Sequence, residues 1–366
     1  MSKRTYWATE PTERIGSEVS KRSKMYADAS VTNGRRDLWQ RSGLLVYGLD
    51  PEGSGRNSAA VMLNGAQGQY VDLRCNVYRA NIRQQVVMTV GSRPSFKCRA
   101  RAYDASTDEA RLIGDAILDS ALNDGVEAKL NMCAWHGLSF GEGWVSVTWD
   151  PLLAEGRGDC RVRVFRPDQV VRDTTCADDE RDWVILLSQQ NRWTLSALYP
   201  EHAEAIQQAG SPETLDIWTA FRSGVRDTAS SDYVVVSEFY HRPTPSLPAG
   251  RATIVVGSTA IADGPNPYGR IPAYAMISTR EPGSPYGYAD AWDQMALQQV
   301  LDSIVSQAAT ARENFGERTL FSPDGSQFEA EMVGGMRVLS GTQPPTPLDL
   351  EGNAVEAASR AAEMSV

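Results

Sequence analysis

Apolar residues in the first third of the chain recur at helical spacing. Between Asn76 and Val90 they fall near one face of a helix, and Arg93-Pro94 then favours an extended segment. Ser106 and Glu109 form a capping box, which predicts one or two helices over residues 107–135, broken near Gly125. By contrast, the first forty residues are polar and offer little to bury, so we expect only helical turns there, followed by a Gly-, Asn- and Ser-rich loop.

The pattern changes to strands after the turn at 136–143. In Trp144–Trp149 the apolar residues alternate with Ser and Thr, as in a half-buried strand. Similar runs predict strands at Arg161–Phe165, Trp183–Ser188, Tyr233–Tyr240, Thr253–Ser258 and Ala273–Ile277. Residues 75–280 are therefore expected to form an α+β unit whose sheet is mostly antiparallel.

A longer helix is predicted between Gly287 and Gly316, a stretch with neither proline nor glycine. About 28 residues would give a rod of roughly 42 Å. Its apolar stripe could belong to a core helix of an ordinary domain. The following short strands, the proline-rich run and a new helical start at 353–366 favour an out-and-back helical hairpin instead. Because that last helix has no C-cap signal, we expect the chain to end within an element.

Composition narrows the possible functions. The chain has 366 residues, a mass of 40.1 kDa and a net charge of -10, which argues against tight nonspecific DNA binding. Residues 1–41 carry nine basic and five acidic residues and form a basic arm. A membrane-length apolar run and a signal-peptide core are both lacking, so we expect a cytosolic chain. Five widely spaced cysteines without a CxxC pair predict free thiols.

The sharpest enzymatic motif is the G-x-S-x-G sequence at 137–141. In an α/β-hydrolase it would place Ser139 on a nucleophile elbow, with His202 or His241 as the base. That elbow requires a strand, a turn and then a helix, whereas here the helix precedes Ser139 and the strand follows it. We therefore interpret these glycines as a helix-to-strand turn.

Other catalytic and metal-binding patterns are weak. His136, His202 and His241 have no metal-ligand spacing, and the acidic run at 178–182 is typical of a solvated turn. A Walker A motif is missing, and the glycines of 141–143 lack the lysine and the helix that phosphate binding needs. The sequence therefore predicts no catalytic residue, no metal site and no cofactor.

Several stretches together resemble bacteriophage portal proteins, which form the ring at one capsid vertex through which DNA passes. The resemblance rests on their order along the chain. They are GEGWVSVTWDP (141–151), VRVFRPDQVVRD (162–173), DWVILLSQQNRWTLSALYPE (182–201), VVVSEFYHRP (234–243), DGPNPYGRIP (263–272) and GSPYGYADAWDQMALQQVLDSIVSQ (283–307).

The resemblance implies a portal-like division of the α+β fold. Residues 1–74 would be the basic arm and loop, 75–283 the wing, 284–316 the first stem helix, 317–352 the β-rich clip, and 353–366 the start of a second stem helix. Family members continue with the rest of that helix, a channel loop, more wing and often a crown, so the resemblance implies that this chain is a fragment, the ordered part of a longer protein or a short form.

The resemblance also implies a function without catalysis. The subunit would form a homo-oligomeric ring, a dodecamer, at the portal vertex of the virion, after assembly in the host cytoplasm. Its partners would be the major capsid protein and scaffold, the terminase, and a head-completion or tail adaptor. Double-stranded DNA would pass through the channel without specific binding. The alternatives are another virion or tail-junction protein and, more remotely, a serine hydrolase that uses Ser139.

Within this scheme the sequence assigns three groups of residues. The channel wall would be acidic, since residues 281–316 hold five acids and one base, and phosphates slide past a repelling surface. The predicted channel-facing residues are Asp290, Asp293, Asp302 and Glu313. The predicted stem-packing residues are Trp292, Leu297, Leu301 and Ile304. The predicted clip-docking residues are Arg318, Glu329, Glu331 and Arg337.

Overall fold

A computed structural model describes residues 6–48, 73–91, 97–99, 106–175, 181–210, 232–315, 319–322 and 337–340. The chain divides into two compact units. The first consists of Met1–Gly43 and Asn81–Trp292, and the second of Leu44–Ala80 and Asp293–Val366. Helices and mostly antiparallel strands make this an α+β protein, as predicted.

The described helices are α1 (Thr12–Thr32), α2 (Arg35–Tyr47), α3 (Val77–Val90), α4 (Thr107–Asn123), α5 (Val126–Phe140), α6 (Leu153–Gly156), α7 (Arg192–Leu198), α8 (Ala203–Gln208) and α9 (Gln294–Phe315). The predicted break near Gly125 is confirmed, because that glycine has a positive φ of 65° between α4 and α5. The Ser106 side chain accepts a hydrogen bond from the Glu109 amide, which confirms the predicted N-cap of α4.

The described strands are β1 (Glu142–Asp150), β2 (Asp159–Phe165), β3 (Val170–Arg172), β4 (Trp183–Asn191), β5 (Tyr233–His241), β6 (Arg251–Val256), β7 (Thr259–Gly264), β8 (Ala273–Ile277), β9 (Thr279–Arg280), β10 (Gly287–Tyr288), β11 (Thr319–Ser322) and β12 (Arg337–Ser340). All six strands predicted for the body are confirmed.

In the described part of the first unit, two larger antiparallel sheets accompany the two-stranded pair β9-β10. One has the order β3-β4-β5-β6-β7 and the other β2-β1-β8. Side chains alternate along β4, so that Ile185 packs in one buried cluster while Val184 and Leu186 pack in another with Trp144 of β1. The core of this unit therefore includes side chains from both sheets.

The N-terminal segment differs from the expected arm. Helix α1 packs on the five-stranded sheet, and Ile15 and Val19 are fully buried in its core. An ideal Cβ placed on Gly16 would lie 2.3 Å from the Ser258 carbonyl oxygen, so the glycine permits a close approach of α1 to the β6-β7 turn. Because α1 lies so close to the five-stranded sheet, its few apolar side chains, Ile15 and Val19, are enough to anchor it in the core.

In the second unit the main element is α9. It spans 22 residues, about 33 Å at 1.5 Å per residue, and begins later than the predicted start of the stem at residue 284. A 3-10 turn, Asp290–Asp293, occupies part of the interval. Strands β11 and β12 pair in parallel, which agrees with short strands after the helix. The predicted helix at 353–366 lies outside the described residues.

Candidate functional site

A fully buried carboxylate lies at the start of β1. Glu142 is 1% exposed, and its Oε1 accepts hydrogen bonds from Nη2 of Arg172 at 2.9 Å and from the Gly287 amide at 2.7 Å. Its Oε2 accepts from Nη1 of Arg172 and, at 3.2 Å, from Nε1 of Trp144. Arg35 is the second cation, with Nη2 3.5 Å from Oε1. We call these five residues the carboxylate junction.

Opposing effects act on the Glu142 carboxyl. Burial favours its neutral form, but the Arg172 charge and the hydrogen bonds from Arg172 and Gly287 outweigh burial and lower its pKa. The carboxyl is therefore ionised and paired. Such a group acts as a structural crosslink and has no free lone pair directed at a substrate.

The junction holds the chain just ahead of the long helix. Arg172 also donates to the Pro285 carbonyl at 2.6 Å, and the Tyr286 ring lies 3.8 Å below the Arg35 guanidinium. An ideal Cβ on Gly287 would lie 2.3 Å from the Gly141 carbonyl oxygen, so the two backbones touch where no side chain fits. Residues 285–287 are thereby held in place within the first unit by contacts on both sides.

The C-terminal end of α5 is capped by side chains from other elements. Ser42 Oγ donates to the Ser139 carbonyl at 2.7 Å, and Nε1 of Trp292 donates to the same oxygen at 3.0 Å. Nε1 of Trp39 donates to the Phe140 carbonyl at 3.0 Å. These donors satisfy carbonyls that a helix end leaves without intrahelical partners. The junction and this cap form one buried region around residues 139–144.

The predicted order of a helix before Ser139 and a strand after it is confirmed, but the predicted turn at 136–143 is wrong, because α5 continues to Phe140 and β1 begins at Glu142. Ser139 lies in the last turn of α5, is 0% exposed, and is followed by β1, the reverse of a nucleophile elbow. Its hydroxyl forms no hydrogen bond with any described residue. His241 instead pairs with the Tyr6 hydroxyl at 2.8 Å, and His202 lies in a 3-10 turn beyond α7. Among the described residues, none acts as a base toward the buried Ser139 hydroxyl.

Other reactive groups in the described residues are similarly enclosed. Burial lowers the pKa of His136 to about 4 and raises the pKa of the Cys133 thiol to about 12. Among the residues that the structure describes, no cluster of His, Cys, Asp or Glu could hold a metal ion. Asp182 pairs with Arg242, and the other acidic residues of the run at 178–182 lie outside the described residues.

In the second unit a polar face of α9 binds the extended segment 73–76 and the start of α3. Gln298 accepts from the Tyr78 amide and donates to the Cys75 carbonyl, while Asp302 accepts from the Cys75 amide at 3.0 Å. Ser306 bonds to both the amide and the carbonyl of Leu73. Since the three side chains are spaced four residues apart, they lie on one face of the helix.

The predicted channel and stem residues occupy different environments. Asp290 and Asp293 are exposed, whereas Asp302 is half-buried by its contact with Cys75. Trp292 is buried in the first unit, and Leu301 and Ile304 are half-buried on α9.

On α9, Leu297 and Val300 are exposed, at 69% and 56%. We call Leu297, Val300 and Ile304 the outer stripe of α9, because they recur at helical spacing opposite Gln298, Asp302 and Ser306.

The remaining predicted residues cannot be placed by their side chains. Glu313 belongs to α9 and Arg337 to β12, but the description of both covers the backbone alone. Arg318, Glu329 and Glu331 lie outside the described residues. The predicted docking group at the clip therefore stays a prediction.

The residues of the carboxylate junction form no motif in the sequence. One signal was available: Glu142 precedes Trp144 at strand spacing and thus points to the same, buried face of β1. Its partners Arg35, Arg172 and Gly287 are separated from it by 30 to 145 positions. Nothing local in the sequence indicates which buried charges meet over such distances.

Comparison of the chain with protein-family models finds no match, and comparison with curated proteins finds none either. Among the described residues, no helix has both the length and the apolar character needed to cross a membrane.

Proposed function

We propose that this chain is a structural subunit of a bacteriophage portal ring, through which double-stranded DNA is packaged and ejected. One observation carries the proposal. Three separate stretches that resemble portal proteins supply Glu142, Arg172 and Gly287, and these residues meet at one buried junction. The stretches that carry the resemblance thus include the residues that hold the first unit together.

The order of elements also supports the proposal. An α+β body is followed by the 22-residue helix α9 and then by the short strands β11 and β12. In a portal ring these would serve as wing, stem and clip. The junction fixes residues 285–287, which lie just before the helix, so a subunit of this kind would have a firmly held lead into its stem.

The charge of α9 and its lead agrees with a DNA channel. Residues 281–316 have a net charge of -4, and Asp290 and Asp293 are exposed. Repeated around a ring, such residues would repel phosphate groups and let the duplex slide without specific binding. The outer stripe of α9 would then pack between neighbouring subunits or against the second stem helix.

Under this proposal the subunit performs no catalysis, and the force for packaging comes from a separate terminase. Capsid protein, scaffold and a tail adaptor would be its other partners at the portal vertex, with the adaptor meeting the clip. The residues proposed for that contact are Arg318, Glu329, Glu331 and Arg337.

The mass of the purified chain under native conditions tests the proposal. A closed ring of about a dozen 40.1 kDa subunits would have a mass on the order of 480 kDa. Native mass spectrometry should find that species, and electron microscopy should show a ring with a central hole. A chain that stays monomeric at high concentration would contradict the proposal.

A further inference from the structure

The charge of the chain reverses abruptly between two neighbouring helices. Residues 74–101 contain seven basic residues and no acidic one, although the whole chain has a net charge of -10. Helix α4 follows with four acids and one base over residues 107–123. Two of the seven basic residues, Arg79 and Arg83, lie on α3, so these two helices carry charges of opposite sign.

The basic surface lies on α3. Arg79, Arg83 and Val87 are each four residues apart and therefore lie along one side of the helix, and Met88 borders them. All four are exposed, with Val87 at 68% and Met88 at 74%. Neither arginine forms an ion pair with a described residue. We call these four residues the α3 face.

The acidic surface lies on α4. Asp108, Leu112, Asp115, Asp119 and Leu122 recur every three or four residues, so they too share one side of a helix. All are exposed, with Leu112 at 72% and Leu122 at 60%. Among the described residues, the carboxylates of this side are not paired with a cation, and Asp119 accepts one hydrogen bond from Asn123. We call these five residues the α4 face.

We infer that the α3 face of one copy of this chain binds the α4 face of another copy. Each face combines exposed aliphatic side chains with charges of one sign, and the two signs are opposite, so apolar burial and charge attraction favour the same pairing. Two copies of the α4 face would repel each other. The contact is therefore head-to-tail, the kind that generates rings when its rotation closes.

This inference rests on the proposed function, since it supplies a subunit contact for the ring. A nucleic acid is the other occupant that the α3 face could attract. The negative charge of the whole chain and the matching α4 face favour a second copy instead.

Charge reversal in both directions tests the contact. One variant carries Arg79→Glu and Arg83→Glu, the other Asp115→Lys and Asp119→Lys. Each alone places like charges across the contact and should weaken self-association by at least about tenfold. An equimolar mixture of the two variants, or a chain carrying all four changes, should restore association, because opposite charges then face each other again. Misfolding of a variant would not produce this rescue.

Arg157→Glu with Arg270→Glu is the matched control, because these exposed arginines lie elsewhere and the charge change equals that of the first variant. Sedimentation velocity measures all species. If both charge-reversal variants still form the ring, the proposed contact is wrong and the portal proposal is unaffected. Small oligomers that respond to the reversals would support the contact and contradict the ring. A monomeric wild type, or duplex DNA binding lost on reversal of the arginines without any self-association, would overturn the contact.

Discussion

Both terminal nitrogens of Arg172 donate hydrogen bonds to the buried carboxylate of Glu142, and the amide of Gly287, seven residues before α9, donates a third. The pair joins strands β1 and β3, which belong to different sheets. Both side chains are nearly inaccessible, at 2% and 1% exposure. An ion pair buried this completely is costly to break from one side.

Glu142→Ala should therefore destabilise the first unit by about 3–5 kcal/mol, because the charges of Arg172 and Arg35 would remain buried without the Glu142 carboxylate. Urea denaturation followed by tryptophan fluorescence measures the change. Asp150→Ala is the control: it breaks the pair with the half-exposed Arg161, worth about 0–1 kcal/mol, together with an exposed hydrogen bond from the Leu152 amide. Equal losses in the two variants would refute the structural role of the junction.

Gly287→Ala should lower the thermal unfolding temperature, since the added methyl group would overlap the Gly141 carbonyl oxygen. The junction would have to separate, and the amide of residue 287 would move away from Glu142. Gly264→Ala is the matched control, because its position in β7 has no heavy atom within 4 Å of the new Cβ. Differential scanning calorimetry compares them, and similar melting temperatures for both variants would contradict the close approach.

The free energy of unfolding of the first unit should fall in acid, because the Asp263 carboxylate becomes protonated. Hydrogen bonds from Arg251, Thr12 and Thr253 outweigh burial and lower the Asp263 pKa from 3.8 to about 2. A depressed carboxyl pKa stabilises the fold above the unfolded value and loses that contribution as pH falls toward the folded value. The loss therefore occurs between about pH 4 and 2.

Asp263→Asn should remove this part of the pH dependence, so that the urea midpoints at neutral and acidic pH lie closer together than in the wild type. Asp115→Asn, at an exposed position of α4, serves as the control and should leave the wild-type dependence in place. An unchanged acid dependence in Asp263→Asn would show that Arg251 does not hold this carboxylate.

The outer stripe of α9 should matter for assembly and not for folding. Leu297→Glu with Val300→Glu places charges at positions that are already exposed, so the melting temperature should change little. In the proposed ring these positions pack against other helices, and association should weaken at least about tenfold. Gln299→Glu, exposed beside the stripe, is the control. Unaltered oligomers in both variants would exclude the stripe from the subunit contact.

Charge reversal at Asp290 and Asp293 tests the acidic channel. Both residues are exposed, and Asp290 accepts a hydrogen bond from the exposed Thr279 hydroxyl and not from the backbone, so Asp290→Lys with Asp293→Lys should change the fold little while the channel wall attracts phosphates and slows the DNA. The amount of DNA packaged into assembled heads is the readout. Glu201→Lys, at an exposed position of the body, is the control. Asp302 is unsuitable because it accepts the Cys75 amide hydrogen bond. Normal packaging by the double variant would contradict an electrostatic role.

The sequence by itself determined the elements whose signals are local. Alternation in Trp144–Trp149 specified β1, the capping box at Ser106 specified the start of α4, and Gly125 specified the break before α5. These patterns are sufficient because a strand or a helix start depends on residues within a few positions of one another.

The tertiary structure decided which residues those elements bring together. Helix α1 looks too polar to belong to a core, yet Ile15 is buried because Gly16 lets the helix touch the sheet. On α9 the polar side binds the backbone at 73–78, and the outer stripe is exposed or half-buried. Hydrophobic periodicity shows which residues share a face of a helix, but it does not show which element packs against that face. Glu142, Arg172 and Gly287 meet for the same reason: long-range partners are fixed by packing and not by spacing along the chain.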